Sequence, residues 1–241
     1  MEDKANVGEK NIHQNHRERV KLRFLTEGAD NFEQHALLEL ILFYSVPQKD
    51  TNPLAHRLIS EFGSISGVFD APIEELLKVN GVSTHTATLL KLFPAVFRRY
   101  CMDKSAPSDR KLPTMKKIGE YLVKRFVGIS VETVMLMLMD NDFDLIDCVK
   151  IYEGSVNSSA LTPRKIVEKA IFKQASIVVL AHNHPNGRAI PSNDDIVTTE
   201  IVRQALDAVG VKFMAHVIVA GDTYNNILGE KTVPQKVESL L

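Results

Sequence analysis

After residue 113 the chain changes from a helical pattern to strands that alternate with helices, and this change limits the folds it can adopt. The apolar runs that suit buried strands are 131–140, 145–154, 175–184 and 211–221. The segments with helical spacing of apolar residues between them are 163–173 and 193–210. A short turn, 141–144, joins the first two runs and predicts that they are antiparallel. The pattern predicts an α/β (α+β) domain with a mixed sheet.

The preceding residues have a helical pattern without strands. Residues 17–102 are predicted to form an all-helical domain, in which Pro94 is expected to kink or divide the last helix. Residues 1–16 are polar and are predicted to be disordered. Residues 103–113 contain two prolines and are interpreted as a linker, so that the second domain covers 114–241.

The composition excludes several classes of protein. With 29 Lys and Arg against 30 Asp and Glu, the net charge is -1, without the basic excess that binding to a phosphate backbone usually requires. Two cysteines are too few for a disulfide framework and favour a reducing compartment. The N-terminus is charged where a signal peptide is apolar, and no run reaches the roughly 20 apolar residues of a membrane helix. We therefore expect a cytoplasmic protein that does not associate with membranes.

The segment 181–195, AHNHPNGRAIPSNDD, carries the strongest chemical signal. His182 and His184 lie two residues apart at the end of a predicted strand, so both imidazoles are expected on one face. The turn after them can return the next helix start to the strand end, which makes Asp195 a candidate third ligand. Three protein ligands and one open position are typical of catalytic zinc, which lowers the pKa of a bound water to about 7.

Two further residues suit a hydrolytic metal site. Glu132 stands at the start of the predicted strand that contains the apolar run VMLMLM, where a carboxylate has no packing role, and it is a candidate general base. Ser192 at the helix start could donate a hydrogen bond to a developing oxyanion. Each signal also has a simpler interpretation: a pair of core histidines, a capping box formed by Ser192 and Asp195, or a solvated strand end at Glu132. Their combination at one strand end favours metal binding.

The spacing of these residues resembles a known signature. His182-x-His184, seven residues and then Ser192-x-x-Asp195 match H-x-H-x(7)-S-x-x-D, the JAMM signature of JAB1/MPN/Mov34 metalloenzymes. Glu132 lies where that family has its upstream glutamate. The strings at 16–64 and 154–187 are similar to the RadC (UPF0758) branch, and the resemblance covers nearly the whole chain after residue 15. It implies an MPN/JAB (cytidine-deaminase-like) fold for the C-terminal domain.

The resemblance also implies a function, namely a zinc hydrolase that cleaves peptide or isopeptide bonds in a peptide or protein substrate. The implied Zn²⁺ ligands are His182, His184 and Asp195. Glu132 would take a proton from the zinc-bound water and pass it to the leaving amine, and Ser192 would stabilise the tetrahedral oxyanion.

The sequence departs from the usual pattern of the branch at three positions. Lys165 replaces a glutamate, Asn186 a serine, and Ala215 the aspartate that usually precedes the histidine of the late strand. None of these departures removes an implied ligand.

The helical domain offers an alternative function. Residues 76–92 resemble a helix-hairpin-helix, in which the backbone N–H groups of a G-h-G turn contact a DNA phosphate. Gly81-Val82 fits this turn, whereas Ser83 stands at the second glycine. A plain helical hairpin is the simpler interpretation, and the neutral charge balance favours it. The alternative to a zinc hydrolase is therefore a non-catalytic DNA-associated or scaffold protein, but the complete set of site residues favours the enzyme.

Overall fold

A computed structural model describes the chain in two compact units. The described residues are 16–104, 111–154, 162–185, 187–228 and 234–237. The units are Met1–Ala95 and Val96–Leu241, so the division falls inside one long helix, Thr84–Lys104. Residues 105–110 of the predicted linker lie outside the described residues. So does the segment predicted to be disordered, except for His16, which is helical.

The first unit is helical, as predicted. Its helices are α1 (16–27), α2 (Gln34–Leu42), α3 (Asn52–Phe62), α4 (Ile65–Asp70), α5 (Ile73–Lys78) and the first part of α6 (Thr84–Lys104). Leucines from α2, α3, α5 and α6 form its buried core. Gly63, with φ 79°, ends α3 as glycine commonly does. Pro94 lies inside the unbroken α6, so the expectation that it could divide this helix is wrong.

Residues 76–92, which resemble a helix-hairpin-helix, comprise the end of α5, a turn at 79–83 and the start of α6. Gly81 has φ 99°, a conformation that glycine adopts readily. The hydroxyl oxygen of Ser83 accepts a hydrogen bond from the backbone N–H of Thr86 at 3.2 Å. Ser83 therefore caps the start of α6 in the place of the second glycine, and DNA contact at this turn stays a prediction.

The second unit is built around a mixed sheet, which confirms the predicted fold class. Its helices are α7 (Met115–Phe126), α8 (Pro163–Phe172) and α9 (Asn193–Asp207). Its strands are β1 (Thr133–Met139), β2 (Leu145–Glu153), β3 (Ile177–Asn183), β4 (Lys212–Ala220), β5 (Thr223–Asn226) and β6 (Gln235–Lys236). The strand order is β2-β1-β3-β4-β5-β6, in which β3 and β4 are parallel and the other neighbours are antiparallel.

Successive side chains along β1 and β3 point to opposite faces of the sheet, and both faces are buried. Odd-numbered residues of these strands pack with apolar residues of α7. Even-numbered residues pack with α8 and α9. His182 continues the even series at the end of β3, which places it on the same side of the sheet as α9. Among the described residues, no helix combines the length and the apolar character that crossing a membrane would require.

We predict that Gly119→Ala destabilises the second unit. A Cβ atom at Gly119 in α7 would overlap the buried ring of Tyr224 on β5. Displacing that ring is expected to lower the free energy of unfolding by about 1–3 kcal/mol. Helix propensity alone predicts the opposite sign, a gain of about 1 kcal/mol. Urea denaturation measures the change. In a Tyr224→Leu background the substitution should be neutral or stabilising, and an equal loss in both backgrounds would contradict the packing explanation.

Candidate metal centre

The two histidines of the HxH pair meet at the C-terminal end of β3. Their Nε2 atoms lie 2.9 Å apart, as expected for alternate residues on one face of a strand. The His182 side chain is 4% exposed and that of His184 is 23% exposed. The pair therefore has a buried side and a side that opens to solvent.

Asp195 is brought to the histidines by the loop that leads into α9. Its Oδ1 lies 3.3 Å from Nε2 of His182, and its Oδ2 lies 4.0 Å from Nε2 of His184. The loop is anchored at Ala189, which is fully buried. The carbonyl oxygen of Ala189 accepts a hydrogen bond from the side-chain amide of Asn225 at 2.9 Å. This anchor fixes where α9 begins relative to the strand end.

Ser192 and Asp195 also form the capping box that the sequence allows. The N–H of Asp195 donates to Oγ of Ser192 at 3.2 Å, and the N–H of Ser192 donates to Oδ2 of Asp195 at 2.8 Å. The Ser192 hydroxyl donates to the same Oδ2 at 2.7 Å. Because these bonds use Oδ2, Oδ1 faces His182. Capping and contact with the histidines are therefore compatible in one carboxylate.

Glu132 lies immediately before β1, the strand that pairs with β3. One of its carboxylate oxygens and the ligand nitrogens of His182 and His184 all lie within 4.8 Å of one another, a group that could hold a metal ion. The side chain is half-buried, and the backbone carbonyl accepts a hydrogen bond from Gly154 at 2.9 Å. The structure thus brings all five predicted site residues to one end of the sheet.

Asn183, between the two histidines, holds the segment that carries Glu132. Its Oδ1 accepts a hydrogen bond from the N–H of Thr133 at 2.7 Å. Its Nδ2 donates to the carbonyl oxygens of Ile129 at 3.0 Å and Val131 at 3.2 Å. Asn183 is 3% exposed, so these bonds satisfy a buried amide. Asn183 was not among the site residues predicted from the sequence. The available signal was that its side chain must point away from the histidine face, into a core that requires partners for a polar group.

The pKa values of His182 and Asp195 favour binding of a cation. Burial lowers the pKa of His182 to about 4, against the opposing charge of Asp195. Burial likewise lowers the pKa of the neighbouring His216 to about 3. Burial alone would raise the pKa of Asp195, but His182 and the hydrogen bonds from Ser192 outweigh it and hold the pKa below its usual value. A neutral imidazole at His182 beside the ionised carboxylate of Asp195 suits the donor set that zinc takes in hydrolytic sites.

Comparisons with known proteins place the chain in a family. A family model for the RadC-like JAB domain matches residues 112–231. The chain is 33% identical to a UPF0758 protein of Ruegeria pomeroyi, over 85% of this chain and 91% of that protein. The chain belongs to the UPF0758 family. A UPF0758 protein of Fusobacterium nucleatum is 29% identical over 90% of this chain and 96% of its own length. A UPF0758 protein of Rhodobacter capsulatus is 33% identical over 83% of this chain and 93% of its own length.

UPF0758 membership and the JAB domain support a metal-dependent hydrolase role. Two of the three departures from the branch fall on described residues. Ala215 is buried in the core against α7, on the sheet face opposite His216. Lys165 is exposed in the first turn of α8. Asn186 lies outside the described residues.

We predict that Asn183→Asp destabilises the protein although it preserves the shape of the side chain. The carboxylate keeps an acceptor for Thr133 but faces two carbonyl oxygens without a proton to donate. The expected loss is about 2–4 kcal/mol in the free energy of unfolding. Chemical denaturation measures it. Asn193→Asp, at an exposed position in the first turn of α9, is the matched control and should change stability by less than about 0.5 kcal/mol. Equal effects of the two substitutions would contradict the assigned role of Asn183.

Proposed function

We propose that this UPF0758 protein is a zinc-dependent hydrolase of peptide or isopeptide bonds. The observation that carries the proposal is the convergence of two Nε2 atoms, one aspartate oxygen and the Glu132 carboxylate at a strand end that is partly open to solvent. In the proposal, His182, His184 and Asp195 hold the metal, and Glu132 stays outside its ligand set as the base.

Each residue then has a defined task. Bound zinc would supply a Lewis acid for the scissile carbonyl and lower the pKa of water to about 7. Glu132 takes a proton from the attacking water as the water oxygen bonds to the carbonyl carbon. It returns this proton to the amine when the carbon–nitrogen bond breaks, so that the base is regenerated.

Ser192 is proposed to donate a hydrogen bond to the developing oxyanion. In the structure its hydroxyl proton is directed to Oδ2 of Asp195. Rotation of the hydroxyl towards the substrate leaves the capping bond from the Asp195 N–H to Oγ in place, because that bond uses the oxygen as acceptor. Asp195 keeps the N–H of Ser192 as a donor to Oδ2.

We predict that Glu132→Gln keeps the metal and loses hydrolysis. The amide has nearly the shape of the carboxylate but cannot accept the proton, so turnover should fall by about 10²–10⁴-fold. The measurement is cleavage of a peptide library followed by mass spectrometry, with zinc content determined on the same samples. Glu153→Gln, at the end of the neighbouring strand β2, is the control and should retain activity. A wild-type rate in Glu132→Gln would show that Glu132 is not the base.

We predict that Asp195→Ala weakens zinc binding sharply, whereas Asp194→Ala does not. Both carboxylates lie in the first turn of α9, so both substitutions remove the same favourable charge from the helix start. Only Asp195 lies beside His182. Isothermal titration calorimetry should show a loss of zinc affinity of tenfold or more for Asp195→Ala alone. If affinity is unchanged and only stability falls by about 1 kcal/mol, Asp195 acts as a capping residue and not as a ligand.

A further inference from the structure

A buried chain of hydrogen bonds connects two of the proposed ligands, His182 and Asp195. Nδ1 of His182 lies 2.9 Å from Nε2 of His216 on β4. Nδ1 of His216 lies 2.6 Å from Oγ1 of Thr199 on α9. The Thr199 hydroxyl donates to the backbone carbonyl of Asp195 at 2.6 Å. Thr199 and His216 are 3% and 2% exposed, so neither side chain contacts bulk water.

The chemistry of these groups fixes the direction of each bond. The carbonyl oxygen of Asp195 can only accept, so it takes the single proton of the Thr199 hydroxyl. The short contact between Thr199 and His216 then requires that Nδ1–H of His216 donates to the hydroxyl oxygen. A neutral imidazole has one ring proton, which leaves Nε2 of His216 as an acceptor. It therefore accepts from Nδ1–H of His182, and Nε2 of His182 carries a lone pair.

The tautomer of His184, the other proposed ligand histidine, is fixed by a separate hydrogen bond. Nδ1 of His184 lies 2.8 Å from the carbonyl oxygen of Arg188, which can only accept. In the neutral form of His184, Nε2 therefore carries a lone pair as well. Two lone pairs that face each other at 2.9 Å repel unless a cation lies against both. With the opposite tautomer, Nε2–H of His182 would donate to His184, and that proton would occupy the position that a metal needs.

We propose that Thr199 and His216 are positioning residues that hold His182 in its metal-binding tautomer and tie it to Asp195. The inference rests on the proposed metal site. The chain of hydrogen bonds connects β3, β4 and α9, so it also fixes the first turn of α9 against the strand end. Partners of this kind commonly change metal affinity by 10–100-fold when they are removed.

The test replaces Thr199 with valine, which keeps the shape and removes the hydroxyl. His216 then loses its acceptor at Nδ1 and is free to donate from Nε2 to His182. This reverses the tautomer of His182. The readout is the protonation of each ring nitrogen in the metal-free full-length protein, measured by NMR after selective ¹⁵N labelling of histidine. We expect Nδ1–H on His182 in the wild type and Nε2–H in Thr199→Val, together with a 10–100-fold weaker zinc affinity.

Two matched variants separate this role from a structural one. Thr199→Ser retains the hydroxyl and should restore both the tautomer and the zinc affinity. Thr198→Val, the neighbouring threonine on α9, should leave both unchanged. Wild-type tautomers and wild-type zinc affinity in Thr199→Val would overturn the proposal.

The wild-type spectrum tests the inference even if a variant fails to fold, because Nε2–H on His182 in the wild type would overturn it directly. Failure of the proposed function has a different signature. A wild type that binds no zinc but carries Nδ1–H on His182 would overturn the metal site and leave the tautomer assignment supported.

Discussion

The position of β3 between β1 and β4 determines where the polar groups that the strands contribute to the site lie. In the register of this sheet, His182 pairs with Val134 of β1 on one side and with Ile218 of β4 on the other. The pairing with β1 therefore places Glu132 next to the histidines, and the pairing with β4 places His216 there. A shift of one residue in either register would turn these side chains to the α7 face and disperse the cluster. The apolar contacts that stabilise the sheet therefore also keep these polar side chains together.

Burial of so many polar side chains at one strand end is stable only because almost all of their hydrogen bonds are made. His182, Asn183, Thr199 and His216 are nearly inaccessible to water, and each has partners in the structure. An unmet buried donor or acceptor costs about 1–3 kcal/mol, so the loss of one partner affects the whole network. The contact between the two Nε2 atoms is the exception, since both are acceptors. The repulsion there is what a bound cation would relieve.

The local part of the site could be predicted from the sequence, because it depends on short-range geometry. The two-residue repeat of a strand places His182 and His184 on one face, and a turn rich in Pro and Gly allows Asp195 to return. The bonding partners of Asn183, Thr199 and His216 could not be predicted in the same way. Apart from the bond between Thr199 and Asp195, their bonds join residues 17 to 54 positions apart and depend on strand register and helix placement. The short strands β5 and β6 have no apolar pattern and gave no signal. Pro94 disfavours a continuous helix by its chemistry, yet α6 continues through it, so the length of this helix could not be predicted from the local sequence.

The most direct test of the metal site is the zinc content of the protein, purified without a histidine tag and measured by inductively coupled plasma mass spectrometry. We expect about one zinc per chain in the wild type and none in a His182→Ala/His184→Ala double variant. No zinc in the wild type even after zinc is supplied would contradict the proposed metal site. So would equal zinc content in the two proteins.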